Sequence, residues 1–416
     1  MSTTVLKFGG TSLATPDKIR RVAALAHRAH ATGTGTVLVV SARGKTTDAL
    51  LAAAAEVNAA PSARESDQLL ATGENASAAL VALALQERGV QAVSLTGPQA
   101  GILATGPHGA GMIAAIDPGR VGSHLARGRV VVVAGFQGEG DDGDIVTLGR
   151  GGSDTTAVAL AVELGARACE IYTDVNGVFT ADPRLVPGAR VLARVDPVVM
   201  AEMAFSGAQV MHSRAVELAS VHGLDVLVRN TMTDGGGTTI LGRSSDMIEK
   251  RGFITAVTHD RAVLRVVLRR GRRDVDLATT VLGPFARAAV PVDMLAWHTD
   301  RGRVDQVGFA VHASHLLATR RLLGHLGTAH GLDTELDEGV GKLSVVGTGL
   351  LNRPEFLARM LAALAGVGVA PDWFATAQSR ISVLVPADRL TGAVIALHRE
   401  FELDRDGVAA QSMTPA

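Results

Sequence analysis

Twice in this chain an apolar, β-branched run ends in a glycine-rich turn carrying charges and hydroxyls, with a helix to follow. The first is Val5-Leu6-Lys7-Phe8-Gly9-Gly10-Thr11-Ser12, with a helix expected from about Pro16. The second is Gly149-Arg150-Gly151-Gly152-Ser153-Asp154-Thr155-Thr156-Ala157, approached by the strand-length run Arg129–Phe136 and followed by helical character from Thr155 to Leu164. Glycines let backbone amides approach a charged ligand, and a helix N-terminus, which Ser153 can cap, faces that ligand with its positive end. A single Gly-Gly turn with a surface Arg would need no ligand. Two such corners in one chain point to an anion site with a charged selector, Arg150, in the second.

Lysine usage sharpens the first corner. Of 40 basic residues only Lys7, Lys18, Lys45, Lys250 and Lys342 are lysines, and two of these five stand in glycine-rich turns. Lys7 ends its strand and offers a compact positive charge to a transferring phosphoryl group, while Gly9 and Gly10 offer amides. Because Lys7 precedes its glycines, this is not a Walker loop. The bland alternative is an exposed Lys at a strand end.

Further pieces follow in alternating order. Thr36–Ser41 reads as a buried strand leading to Ala42-Arg43-Gly44-Lys45-Thr46-Thr47-Asp48, Asp67–Leu85 as a helix carrying Glu74, and 168–174 as a strand running into Val175–Arg184. Alternation predicts an α/β fold with a mainly parallel sheet covered on both faces, whose ligands gather at the strand carboxyl ends. Asp48 is expected to be a first-turn helix charge and Cys169 a small core residue. Asp141, Asp142 and Asp144 read as a hairpin rather than a calcium loop. The 13 histidines show no ligand spacing.

Several function classes drop out. A net charge of -1 gives no electrostatic case for nucleic acid, and Arg269–Arg273 reads as a solvated hairpin. No stretch matches the roughly 18 uncharged apolar residues of a membrane span. One cysteine excludes a disulfide framework, and the opening residues lack a signal-peptide pattern, so a cytoplasmic protein is expected.

The segments KFGGTS (7–12), VVSARGKTTD (39–48), LLATGEN (69–75), GFQG (135–138), LGRGGSDTTA (148–157), YTDVNGVFTADPR (172–184) and GAQVMHSRA (207–215) together resemble the aspartate kinases, in order and spacing. The resemblance implies a three-layer αβα amino-acid kinase fold over 1–245. It also implies two ferredoxin-like (βαββαβ) ACT modules, over 246–335 and 336–403, the first completed by 404–416. The implied reaction moves the γ-phosphate of ATP to the side-chain carboxylate of L-aspartate, the first step toward lysine, threonine, methionine and diaminopimelate. An ionised carboxylate nucleophile needs no general base, so catalysis is mostly positioning and charge neutralisation.

The same resemblance distributes the roles. Lys7 and Asp154 are the catalytic pair. Thr47, Glu74, Phe136, Arg150, Gly151, Gly152 and Ser153 bind the substrate, with Arg150 gripping a carboxylate and Glu74 and Asp154 receiving the ammonium. Lys7, Gly9, Gly10, Ser41, Thr173, Asp174, Phe179, Asp182, Arg184 and Gln209 lie on the nucleotide side. Mg2+ is expected on ATP oxygens and water, with no protein metal site. Gln209 stands where the family usually has Lys, which bears on nucleotide affinity.

The second half departs further from the family pattern. Candidate effector residues are Asp293, Met294, Trp297, Asp372 and Gln378, but the family's Asn-Ile-Asp-Met stretch is Pro291-Val292-Asp293-Met294 here, its Gln-Asn ending is Trp297-His298, and in the second module Asn-Ile becomes Ala370-Pro371 and a Ser-Glu pair becomes Ala377-Gln378. Arg273-Asp274-Val275-Asp276 replaces an Ile-Pro-Gly turn. Weakened inhibition by lysine and threonine is expected, with a homo-oligomer formed through the ACT modules. Met247 lies where some relatives restart translation. Two alternatives stay open: a catalytically weakened, amino-acid-binding regulatory subunit, and a kinase for another acidic amino acid.

Overall fold

Val130–Ala134 is buried at every position, as is Gly35–Val40, because helices cover both faces of the sheet that holds them. In the computed structural model, which describes residues 2–167, 169–244, 253–269, 276–300, 303–351 and 353–405, this sheet has eight strands. Their order is Arg194–Val195, Thr238–Ile240, Val226–Asn230, Cys169–Thr173, Thr3–Phe8, Gly35–Val40, Val130–Ala134 and Ala92–Leu95. All neighbours are parallel except Val226–Asn230 and Thr238–Ile240. Lys7 sits opposite Val39 and Ile171, so the first glycine corner emerges at the carboxyl edge of the sheet centre.

The helices form where their caps and apolar stripes dictate. Pro16–His30 starts on Thr15, whose hydroxyl accepts the Lys18 N–H, and buries Ile19, Val22, Ala23 and Ala26 in the core shared with Leu6, Phe8, Leu38 and Val132. Ala63–Glu87 starts on Ser62, which accepts the Glu65 N–H. This helix is long and apolar enough to cross a membrane, yet half of its most apolar window is buried inside the protein. Its buried face carries Asp67 and Glu74, as a core helix with site residues would. Asp48 lies in the first turn of Thr46–Val57, and Cys169 is fully buried, which pushes its thiol pKa up.

A small four-stranded sheet, Met112–Ile116, Ile102–Thr105, Gln137–Glu139 and Ile145–Thr147, delivers the second glycine corner. Asp144 in its hairpin pairs with Arg64 at 2.5 Å. The helix after the corner is Gly152–Glu163, and its N-cap is Gly151 with no side-chain cap bond. Ser153 therefore does not cap: it lies inside the first turn, tucked against Gly135, where a Cβ would come 2.9 Å from Ser153 Cβ.

The chain divides into two units, and the division is not a single cut. The first contains 1–178, 191–205 and 209–247; the second contains 179–190, 206–208 and everything from 248. The second unit holds two antiparallel four-stranded sheets. One is Asp293–Asp300, Arg303–His312, Val263–Arg269 and Asp333–Asp337, backed by helices Leu277–Arg287 and Leu316–His330. This is a complete βαββαβ module. The other is Phe253–Asp260, Val340–Thr348, Arg380–Pro386 and Trp373–Ala377, backed by Pro354–Gly366 and Leu390–Glu400.

The interleaving of the modules therefore runs opposite to the sequence expectation. Asp333–Asp337 fills the edge beside Val263–Arg269, and residues 406–416, expected to complete this module, lie outside the described residues. The upstream strand Phe253–Asp260, inside the span read as the first module, instead completes the second by pairing with Val340–Thr348. Val367–Val369 turn out of the preceding helix before the strand that begins at Trp373. Arg269 pairs with Asp333 and Glu335 across the sheet, while Arg270–Asp274, Met247 and Val408–Ser412 lie outside the described residues.

Candidate active site

The site assembles at the carboxyl ends of four parallel strands, each leaving its polar residues just past its last pair. Ser41 follows Val40 and donates its N–H to Phe8 O at 3.1 Å; Gly135 follows Ala134 and donates to Val40 O at 3.0 Å. The first corner approaches the second strand's loop so closely that a Cβ on Gly10 would fall 2.6 Å from Ala42 O. Gly44 N–H then donates to Gly10 O at 2.9 Å, clasping the two loops. Gly9 is open above Lys7, its hypothetical Cβ 3.7 Å from Lys7 Nζ. Thr173 ends the neighbouring strand, its carbonyl accepting from Thr231, whose hydroxyl in turn meets Ser12 at 2.6 Å.

Lys7 and Asp154, far apart in sequence, form an ion pair of 2.5 Å with each side chain about one-tenth exposed (11% and 10%). Asp154 Oδ2 also accepts the backbone N–H of His212 at 3.3 Å. The carboxylate read as one of two receivers of the substrate ammonium is thus engaged by Lys7.

Glu74 keeps one carboxyl oxygen available. Gly73 lets its helix approach the second strand's loop, since a Cβ there would sit 2.9 Å from Ala42 Cβ. Glu74 Oε1 accepts the Ala42 N–H at 3.0 Å, and Oε2 is buried with no hydrogen-bond partner among the described residues. Burial pushes the Glu74 carboxyl up to about 7, against the opposing effect of the Ala42 bond. A buried carboxylate oxygen without a donor is a receptor for a cation such as an ammonium group.

Across the corner, Arg150 is exposed and has no ion pair or hydrogen bond among the described residues. It stands between Gly149 (φ 70°) and Gly151 (φ 71°), both in the left-handed region. Phe136, φ 69°, is a non-glycine residue in that same costly region, held there by its N–H to Thr156 Oγ1 at 3.2 Å and by Gly152 packing against it. Thr47 lies in the first turn of its helix, on the loop that Glu74 anchors.

The structure does not gather every expected nucleotide residue in one unit. Thr173, Asp174 and Gln209 belong to the first, with Asp174 and Gln209 exposed, whereas Phe179, Asp182 and Arg184 belong to the second. There Arg184 folds back on Asp182, Nη2 to Oδ2 at 2.8 Å. The segment is rooted in that unit's core by Ala181 and Val186 and by the Thr180 hydroxyl on His398 Nε2 at 2.9 Å.

Sequence reasoning missed Asp67. It is 1% exposed and accepts from Thr147 N–H, Thr147 Oγ1, Gly109 N–H and His108 Nδ1, fastening the second corner's strand to the helix that carries Glu74. The available signal was its spacing: seven residues before Glu74, on the same helix face.

A mainly parallel sheet with lysine and arginine corners at its carboxyl edge, followed by βαββαβ modules, defines a kinase of the amino-acid kinase class with ACT modules. Residues 2–230 match the amino acid kinase family, and 343–401 match an ACT domain. The chain is 42% identical to the aspartokinase of Mycolicibacterium smegmatis, covering 98% of each, and 38% identical to that of Geobacillus stearothermophilus, covering 99% and 100%. In fold it is similar to the E. coli aspartokinase III complex with aspartate and ADP, with a TM-score of 0.80 at 23% identity over 96% of this chain and 99% of that one. An aspartate kinase from Synechocystis is 35% identical, with a TM-score of 0.53 over 96% of this chain and 69% of its own. The chain belongs to the aspartokinase family and is an ATP-dependent kinase.

Proposed function

We propose that the enzyme phosphorylates the side-chain carboxylate of L-aspartate, giving 4-phospho-L-aspartate and ADP. The observation that carries this reading is the pattern of unspent charge: a buried, donorless oxygen on Glu74 and a free guanidinium on Arg150. That pair complements an amino group and a carboxylate on one small acceptor, and fits neither a nucleotide nor a neutral alcohol.

In this reading Arg150 grips the acceptor's α-carboxylate and Glu74 its ammonium. The side-chain carboxylate is then free to attack. An oxygen of that carboxylate bonds to the γ-phosphorus of ATP as the bond to the β–γ bridging oxygen breaks, and ADP departs with the electron pair. No proton moves, so no general base is required. Lys7 leaves Asp154 partly or wholly to meet the transferring oxygens, with the amides of Gly9 and Gly10 and the Ser41 hydroxyl alongside. Thr47, Phe136, Gly151, Gly152 and Ser153 shape the acceptor side; Thr173, Asp174 and Gln209 the nucleotide side of the first unit.

Among the described residues no three His, Cys, Asp or Glu side chains converge as a metal cage. Mg2+ fits this chain as a partner of the nucleotide's own phosphate oxygens, neutralising charge there. We further read the enzyme as a cytoplasmic homo-oligomer, assembled through its ACT modules, with weakened response to lysine and threonine. Two of the effector candidates spend their charge internally: Asp293 on Lys342 and Arg380, and Asp372 on Arg265.

The test is acyl-phosphate formation, trapped as the hydroxamate, with ATP, magnesium and L-aspartate, beside Lys7→Ala. Turnover with aspartate, little with glutamate, and loss in Lys7→Ala is the expected result. A folded protein that binds aspartate but does not turn over would instead mark a regulatory subunit, and Gln209→Lys would be the reversion to measure.

A further inference from the structure

The segment Met211–Arg214 touches both sides of the acceptor corner, and none of the roles above accounts for it. His212 donates its backbone N–H to the Asp154 carboxylate that meets Lys7. Its ring Nδ1 accepts the Arg214 N–H at 3.3 Å, capping the helix Ser213–Val221. A ring that accepts there is neutral, with its proton on Nε2. The ring also abuts the corner: a Cβ on Gly151 would fall 2.1 Å from His212 Cβ and 2.2 Å from Cγ.

Arg214 reaches the other way. Its Nη1 donates to Leu148 O at 2.7 Å and its Nη2 to Gly111 O at 3.2 Å, while Gly111 N–H donates to Thr147 O at 2.9 Å. These bonds end on carbonyls, so the guanidinium keeps its positive charge. Burial first holds the His212 imidazole below its usual pKa, the Asp154 and Glu217 carboxylates opposing it and the Arg214 and Arg150 charges adding to it.

We propose that Arg214 is a positioning residue that fixes how Arg150 is presented to the acceptor amino acid, with His212 tying the same corner to the Lys7–Asp154 pair. Arg150 stands between two left-handed glycines, which supply no side-chain packing of their own. The stiffness of the turn has to come from its flanks, and Arg214 supplies it two residues before Arg150 through a charge-assisted bond to Leu148 O. A fork to two carbonyls also holds two loops in register, which a lysine ammonium cannot reproduce. The inference rests on the reading of Arg150 as the acceptor's carboxylate grip.

The experiment is steady-state hydroxamate kinetics on the full chain for wild type, Arg150→Ala, Arg214→Ala, Arg214→Lys and the Arg150→Ala/Arg214→Ala double variant, with Tm for each. Arg214→Ala should raise KM for aspartate roughly tenfold with KM for ATP within about twofold, and Arg214→Lys should recover part of the loss. Because Arg214 acts through Arg150, the double variant should be no worse for aspartate than Arg150→Ala alone. Equal rises in both KM values, additivity in the double variant, or a lowered Tm with unchanged KM would overturn the proposal. Should Arg214→Ala fail to fold, Arg214→Lys decides: a several-fold rise in aspartate KM alone supports positioning, and none refutes it. Wild type without turnover, or Arg150→Ala with unchanged aspartate KM, would remove the underlying reading rather than the role of Arg214.

Discussion

Lys7 Nζ lies 2.5 Å from Asp154 Oδ1, joining the end of the central strand to the first turn of the helix after the second glycine corner. The pair stores the lysine in a folded, nearly dry position from which it can turn to a phosphate. Lys7→Ala should lower kcat by about 10²- to 10³-fold, the usual scale for removing one donor to developing charge. Asp154→Asn should lower it less, about tenfold, because the amide still accepts the His212 N–H. Single-turnover rates at saturating ATP and aspartate measure both, and a larger loss in Asp154→Asn would reverse the assigned order.

Glu74 ties acceptor binding to pH. Its carboxyl is raised to about 7 by burial, so near neutrality part of the free enzyme holds it protonated and unable to receive an ammonium. KM for aspartate should therefore climb as pH falls from 8 to 6, with kcat far flatter; Glu74→Gln should raise KM and erase this slope. The stability consequence has the matching sign. A raised carboxyl pKa stabilises the fold below its unfolded value, and that contribution is lost as pH rises through about 7. Glu74→Gln should gain stability over wild type above pH 7 and lose that advantage toward pH 4.5, the ordinary value. Urea midpoints across this range would reveal a wrong sign directly.

Gly151 carries two constraints at once, a φ of 71° and a hypothetical Cβ 2.1 Å from His212. Gly151→Ala should raise KM for aspartate at least tenfold and cost about 1–3 kcal/mol of stability from overpacking and backbone strain. Gly143→Ala is the control. Its φ is 77° but nothing lies within 4 Å, so it should lose stability without altering KM. Equal KM changes in the two would place the effect in the backbone alone.

In the second unit, Lys342 Nζ sits 3.0 Å from Asp293 Oδ2 with only 6% of its side chain exposed, and Arg380 lies 3.4 Å from the same oxygen. Although burial pushes the other way, these two cations hold the Asp293 carboxyl below its usual range. Millimolar lysine plus threonine should leave the initial rate within about twofold of its uninhibited value. Lys342→Met should cost about 2–3 kcal/mol, toward the low end for a broken buried pair, because Arg380 remains. Strong inhibition of wild type would show that a ligand competes successfully for Asp293.

The linear order of residues was enough to determine the class of fold and to propose the residues of the site. Buried β-branched runs alternating with capped helices leave a parallel sheet few alternatives, and Lys7, Arg150 and Asp154 stood out because glycines, charges and hydroxyls rarely share one short turn, whereas Glu74, inside a long helix, was marked only by the family resemblance. The tertiary structure decided which charges are spent and which remain free. It paired Asp154 with Lys7 and left Glu74 its open oxygen, put Asp67 and Arg214 under the corners, and gave Phe253–Asp260 to the second module. It also assigned 179–190 to a different unit from the strand that precedes it. The physical reason is range: strand and helix propensity are written in neighbours a few residues apart, whereas an ion pair between residues 7 and 154, or a sheet edge filled from upstream, depends on which long-range contacts win once the whole chain has packed.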